Sequence, residues 1–202
     1  PTGGVPYPVF SFAALLPWTF FSNALGFAIP SLVSNMNLVS KIAFPREILP
    51  LSAILVGLVD FGIASTLFVP MLIYYQIKIG PAVIFLPLVL LIQIVLTYAI
   101  SLGASAANVY FRDIRFLIPL VLQIWMYVSP VIYSVDQIPA WLGPLYFLNP
   151  MAALIDAYRR ILVYNQAPNW PYVALAALVS VLALLLSYRA FKRMERQFAD
   201  LI

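Results

Sequence analysis

The sequence predicts an all-α fold, a polytopic bundle of transmembrane helices. Three observations carry that prediction. The 202 residues are 64% hydrophobic and only 9% charged, whereas soluble chains carry roughly 25% charged residues. The apolar residues come in continuous runs long enough to cross a bilayer, which takes about 20 residues each. The runs show none of the in–out alternation of a β-barrel strand.

Five runs qualify as spans: Val9 to Val33, Ile48 to Tyr75, Val83 to Ala107, Phe116 to Tyr133 and Tyr172 to Tyr188. Prolines 17, 50, 70, 87, 119 and 130 fall in them or at their ends, breaks that bilayer helices tolerate where neighbours satisfy the freed carbonyls. The loops then orient the bundle. Lys41 and Arg46 lie between spans one and two, Arg112 and Arg115 between three and four, and Arg189, Lys192, Arg193 and Arg196 after span five. In an alternating bundle these sites share one side. The other side holds only Lys78, Arg159 and Arg160. The positive-inside rule makes the richer side cytoplasmic. The C-terminus is therefore expected in the cytoplasm and the start of the chain outside, which implies at least one more span upstream and a six-span parent. Residues 1–202 read as one membrane domain.

Between spans four and five, residues 136–168 form a long outer segment that is mostly apolar. Asn149 and Pro150 suit the start of a short helix through Val163, since Asn caps and Pro fits the first turn. Pro139, Gly143 and Pro144 break the piece before it. Two short apolar pieces joined by a break predict a re-entrant hairpin, which survives at membrane depth only if protein buries it. A lid lying flat in the headgroups is the other arrangement.

Several functions are excluded or weakened. The chain has no Cys and no His, so a thiolate metal site, the usual general base and the commonest metal ligand are missing. No Gly-x-x-x-x-Gly-Lys-Ser/Thr phosphate loop is present, so any ATP chemistry belongs to another polypeptide. The seven acids are scattered, with no adjacent pair, which disfavours a membrane-embedded transferase. Neither cofactor nor metal is expected in this chain, and nucleic acid is not expected as a partner.

Five groups of residues stand out. Residues 34–49, around "KIAFPREILP", predict a short surface helix, capped by Asn35 or Asn37 and stopped by Pro45, exposing Lys41, Phe44, Arg46 and Glu47; a plain stop-transfer loop would also place the cations. Arg112, Asp113 and Arg115 form the turn of "NVYFRDIR", as a topology anchor that pairs internally or meets headgroups, or as a secondary cytoplasmic contact. Asp60 lies near the middle of span two, where a carboxylate costs about 2.5–3.5 kcal/mol, so it is expected to face the bundle interior. Trp18, Phe21, Trp125, Tyr127 and Tyr133 could line a path on whose rings sugar faces stack, and Trp141, Tyr146 and Tyr158 crowd the outer hairpin; an interfacial aromatic belt is the simpler reading of many of these rings. Arg159 and Arg160 oppose the positive-inside bias. Asp156, at i−3 and i−4, could pair with them, or they could meet lipid phosphates.

Here a resemblance becomes specific. "PYPVFSFAALLPWTFFSNAL", "SLVSNMNLVSKIAFPREILPLS", "ANVYFRDIRFLIPLVLQIWMYVSPVIYS" and "IPAWLGPLYFLNPMAALIDAYRRILV" together resemble the membrane permease of type 2 ABC exporters for polysaccharides, which move O-antigen, capsular polysaccharide or teichoic acid. The resemblance implies a preceding amphipathic helix and first span. It implies a homodimer in the bacterial inner membrane, a separate ATP-binding subunit that holds ATP and Mg, and a lipid-linked glycan as cargo. It also implies that Asn37 to Glu47, including Asn37, Lys41, Phe44, Pro45, Arg46 and Glu47, couple to the ATPase; in the mechanism read from this, the outer hairpin with Trp141, Tyr146, Tyr158, Arg159 and Arg160 is expected to act as a gate. A related permease for drugs, small lipids or haem is the alternative. A scaffold without transport is the remaining one.

Overall fold

A computed structural model describes residues 4–42, 44–196 and 198. Those residues are mostly helical, with no strand among them. Nine α-helices follow in order: α1 Tyr7–Ala28, α2 Ser31–Ser34, α3 Met36–Lys41, α4 Ile48–Tyr74, α5 Leu86–Tyr110, α6 Ile114–Val128, α7 Gly143–Tyr146, α8 Pro150–Leu162 and α9 Trp170–Glu195. Short 3-10 turns cover Pro81–Phe85, Val135–Gln137 and Ala140–Leu142.

Four helices, α1, α4, α5 with its leading 3-10 turn, and α9, are long and apolar enough to cross a membrane. The expected span over Phe116 to Tyr133 differs. Its helix, α6, has 15 residues, about 22 Å at 1.5 Å per residue, and ends where Ser129 turns extended before Pro130. The residue before proline avoids the helical region, so Pro130 cuts the run five residues earlier than its apolar length suggests.

α1 is the central helix: 61% of its apolar window is buried, against 17% for α4 and for α9. α4 packs on one side of it, α5 on another, and α5 in turn carries α9. Both crossings are close because one partner lacks a side chain. A Cβ on Gly57 of α4 would sit 3.3 Å from the Ala24 Cβ of α1, and one on Gly103 of α5 would sit 3.1 Å from the Ser187 Oγ of α9. Small residues permit this approach, and packing rather than hydrophobic expulsion holds helices together in lipid. Several hydroxyls inside the rods bond back to their own helix, as Thr97 Oγ1 does to Gln93 O at 2.7 Å and Ser180 Oγ to Ala176 O at 2.6 Å, so these need no partner from another helix; the Ser11 and Ser101 hydroxyls are buried without such a bond.

α8 lies within the bundle against α1, α5 and α9. Asn149 and Pro150 start it as expected: Asn149 Oδ1 accepts from Met151 N at 3.1 Å, with Pro150 in the first turn. Ten of its 13 residues are buried, so it is a core element rather than a surface flap.

Candidate functional site

The two ends of the bundle have different chemistry. At one end lie the elbow between α1 and α4, the α5–α6 turn and the C-terminal end of α9. The elbow is built on α2 and α3. Asn35 precedes α3 but makes no side-chain cap; its Nδ2 donates back to Ser31 O at 2.8 Å, so the expected Asn cap is not used. α3 ends at Lys41, where Ile42 becomes extended. Val39 is buried, whereas Asn37, Leu38, Lys41, Ile42 and Pro45 are exposed.

The second half of the elbow is tied down. The Lys192 ammonium of α9 lies 2.8 Å from the Glu47 carboxylate and 2.9 Å from that of Glu195. Arg46 Nη1 donates to Glu195 O at 2.8 Å, and its guanidinium lies 5.9 Å from the Phe198 ring centroid. Phe44 packs, half-buried, on a cluster that includes Leu32, Val39, Leu102, Val109 and Phe191. The sequence expects Phe44, Arg46 and Glu47 to be exposed; they are not, because the end of α9 supplies a cation and a carbonyl that the linear sequence does not place beside them. Burial alone would push the Glu47 carboxyl up, but the hydrogen bond and charge of Lys192 hold it below the usual range. Arg112, Asp113 and Arg115 are all exposed. They form no ion pair with one another among the described residues, the ion pairs there being those of Lys192. Asp200 lies outside the described residues.

Between α1 and α6 opens an apolar cleft of about 700 Å³, lined among others by Trp18, Gly26, Ile29, Pro119, Leu122 and Met126, with Arg115 at its elbow end. Of the expected path residues, Trp18 lines this cleft. Phe21 is fully buried behind it, 5.6 Å from the Trp18 ring and 5.3 Å from the Trp125 ring, edge to face. Trp125 Nε1 donates to Asn149 Oδ1 at 2.9 Å, so it holds the start of α8. Tyr127 is exposed on the outer surface of α6. Tyr133 lies beyond α6, its hydroxyl 2.9 Å from that of Tyr146. The five residues therefore do not share one wall.

Asp60 is exposed on α4 and lines a second groove with Thr19, Asn23 and Gly57. The sequence expects it to face the interior. The interior face of α4 is instead set by Ile54, Gly57, Phe68 and Leu72, and Asp60 falls at the rim of the α1–α4 contact.

The other end holds the most constrained side chain of the molecule. Arg159, 3% exposed, donates through Nε to Phe10 O at 3.2 Å, through Nη1 to Tyr133 O at 2.9 Å and to Pro130 O, and through Nη2 to Val131 O at 2.7 Å. Its guanidinium also lies 3.6 Å from the Phe10 ring centroid. The sequence expects Asp156 to pair with Arg159 or Arg160. No such ion pair forms among the described residues, because the Arg159 fork turns inward to the carbonyls that Pro130 leaves without helical partners. Arg160 Nε donates to Ala167 O at 3.1 Å. Tyr158, 1% exposed, donates to Gln93 Oε1 at 2.8 Å, and Gln93 Nε2 donates to Pro17 O at 2.6 Å. Trp141 is exposed. Nothing in the sequence near Gln93 marks it, apart from its being an amide in the middle of the long apolar run of α5.

Two ends joined by helices, a cleft beside a central helix and a buried short helix, α8, suit a transport subunit. The family model described as ABC-2 type transporter matches residues 2–163. The chain belongs to that family. Among its relatives, an O-antigen export system permease protein RfbA of Myxococcus xanthus is 32% identical over 200 residues, covering 97% of this chain and 76% of the relative. Two proteins of the same name from Klebsiella pneumoniae are each 24% identical over 197 and 199 residues, with the same coverage. The resemblance seen in the sequence is thus borne out across almost the whole of this ABC-2 chain, which is a multi-pass membrane protein whose relatives are transport permeases.

Proposed function

We propose that this chain is the membrane subunit of an ATP-driven exporter that moves a polysaccharide or lipid-linked glycan across the bacterial inner membrane. The observation that carries the proposal is the relation to O-antigen export permeases over 97% of the chain. A separate subunit would bind ATP and Mg, and two copies of this chain would form the passage. The positive-inside rule puts the elbow end in the cytoplasm. There, Asn37, Leu38, Lys41, Ile42 and Pro45 offer an exposed, partly apolar face to the ATPase. Arg46, Glu47 and Phe44 anchor that face to α9. Arg112, Asp113 and Arg115 would make a secondary contact.

The α1–α6 cleft is the candidate wall of the passage, with Trp18 on it. The outer hairpin re-enters the bundle. Tyr158 of α8 meets Gln93, seven residues along α5, a depth of about 10 Å at 1.5 Å per residue. Protein buries this backbone, which is the condition for re-entry.

Loss of the gene should leave lipid-linked glycan inside the cell, and the purified chain should carry an ATPase with it on gentle extraction. A cysteine at position 41 should be labelled only from the cytoplasmic side. Normal surface glycan in the deletion strain would end the proposal.

A further inference from the structure

At the end opposite the elbow, the 134–136 turn and α8 enclose a polar cleft of about 230 Å³, lined by Phe10, Ser134, Asp136, Asp156, Arg160 and Tyr164 among others. Its chemistry is unlike that of the two apolar grooves. Asp156 lies half-buried in its wall, and among the described residues its carboxylate has neither a hydrogen bond nor an ion pair. The cations nearby are partly committed. Arg159 is spent on main-chain carbonyls, and Arg160, which lines the cleft, gives Nε to Ala167 O. Asp136 accepts from Ser134 Oγ at 2.9 Å with one oxygen, Oδ2, and is otherwise exposed. Burial pushes the Asp156 carboxyl up, and Arg160 and Arg159 pull it back.

A half-buried carboxylate without a donor is costly, and among the described residues none is hydrogen-bonded to this one. The cleft therefore presents two carboxylate acceptors beside guanidinium donors, with the Tyr164 and Phe10 rings in its walls. Two acids and two arginines make the lining neutral in sum. An anion would meet both carboxylates, and an alkyl chain would strand the polar groups. A hydroxyl both donates and accepts, so adjacent hydroxyls on one ring satisfy such a lining. At about 230 Å³ the cleft is about a third of the size of the α1–α6 cleft and suits one sugar ring better than a chain segment.

We infer that this cleft is a subsite for a single neutral pyranose, gripped at the outer end of the permease. Asp156 and Asp136 accept from ring hydroxyls and Arg160 donates to ring or hydroxyl oxygens. The inference rests on the glycan reading above and adds where, and by what contacts, one sugar is held. A site for one ring, rather than several, restrains the cargo without trapping it.

The test is saturation-transfer NMR on the purified transporter in lipid nanodiscs. The probes are the methyl glycosides of glucose, galactose and mannose, with methyl glucuronoside, glucosamine and glycerol as comparisons. Transfer is expected to at least one neutral glycoside. Asp156→Ala and Arg160→Ala should each weaken it about tenfold or more, the worth of one hydrogen bond to a charged group. Asp136→Ala should weaken it less, and Ile63→Ala, on the outer face of α4, should not change it. Thermal unfolding of each variant separates lost binding from lost fold, and if one variant does not fold the others decide. Transfer to the charged sugars alone, to none of the probes, or equally in all the variants overturns the subsite. This failure is distinct from failure of the export reading, which is judged by surface glycan in the deletion strain.

Discussion

Replacing Arg159 by Met should destabilise the protein by about 4 kcal/mol. Among the described residues, the carbonyls of Pro130, Val131 and Tyr133 accept from Arg159 and from nothing else. A buried carbonyl left without a donor costs about 1–3 kcal/mol. Three would reach about 3–9 kcal/mol, but Tyr133 is only half-buried, so water can replace part of what is lost. The cation–π contact with Phe10 adds up to about 2 kcal/mol when desolvated, and the Met side chain recovers some of that by packing. The resulting value of about 4 kcal/mol corresponds to a drop in Tm of roughly 8–16 °C for a chain of this size. Arg159→Lys keeps the charge but cannot span three carbonyls from one ammonium, and should cost about half as much. Asp156→Asn should cost under about 0.5 kcal/mol, since no ion pair is broken. Unfolding midpoints in a common detergent compare the three. A cost for Asp156→Asn equal to that of Arg159→Met would refute the reasoning, because it would mean that the i, i+3 ion pair, and not the carbonyl cradle, holds Arg159.

Four further outcomes follow. Leu38→Asp with Ile42→Asp should abolish co-purification of the ATPase while leaving stability within about 1 kcal/mol of the parent, since both side chains are already exposed; Lys41→Ala should weaken the association less. Glu47→Lys and Lys192→Glu should each loosen the elbow, seen as faster cysteine labelling at position 44, and the double exchange should restore it; the stability change stays below about 1 kcal/mol because Lys192 is part-exposed and screened. The same pair sets a pH dependence: the Glu47 carboxyl is held below its ordinary value of 4.5, so its contribution is complete above that pH and is lost as the pH falls through the lower folded value. Elbow labelling, taken relative to a free thiol at each pH because only the thiolate reacts, should therefore be flat from neutral pH to about 5 and rise only in stronger acid. Trp18→Leu should reduce glycan export with little change in assembly, whereas Trp125→Leu should lower both, because it also removes the donor to Asn149.

Much of the fold was legible because bilayer helices declare themselves by length and apolarity. The ends of α4 and α5 fall within a few residues of the apolar runs, and the Asn149–Pro150 start of α8 is a local signal that tertiary contacts did not override. The errors share a cause. Asn35, Asp156 and Arg159 are expected to find partners close by in sequence and Glu47 to be exposed, yet Arg159 and Glu47 take distant partners and Asp156 takes none among the described residues. Arg159 bonds Phe10 O across 149 residues, and Lys192 reaches Glu47 across 145. Such pairings depend on which helices become neighbours, and hydropathy carries no record of that. Asp60 shows the same limit from the other side: its cost in lipid argues for burial, but the close crossing at Gly57 fixes the rotation of α4 and leaves the carboxylate at the rim.

The two ends are joined by more than parallel rods. The elbow is fastened to the end of α9 by Glu47 and Arg46, α9 packs along α5 and α8, and Gln93 of α5 joins Pro17 of α1 to Tyr158 of α8. Arg159, the residue after Tyr158, then clasps Phe10 of α1 and the strand of carbonyls that ends α6. A force applied at the elbow therefore meets a continuous set of packed and hydrogen-bonded parts up to the outer hairpin, and the α1–α6 cleft is flanked by two of them. The weakest join is the part-exposed Glu47–Lys192 contact, while the strongest, at Arg159, lies at the far end. An elbow displacement would thus loosen its own anchor before it disturbed the outer clasp, so opening at the outer end requires more than the elbow's tether: it requires α1 and the end of α6 to part at Arg159, and the residues that hold the sugar subsite stand on the same short stretch of chain.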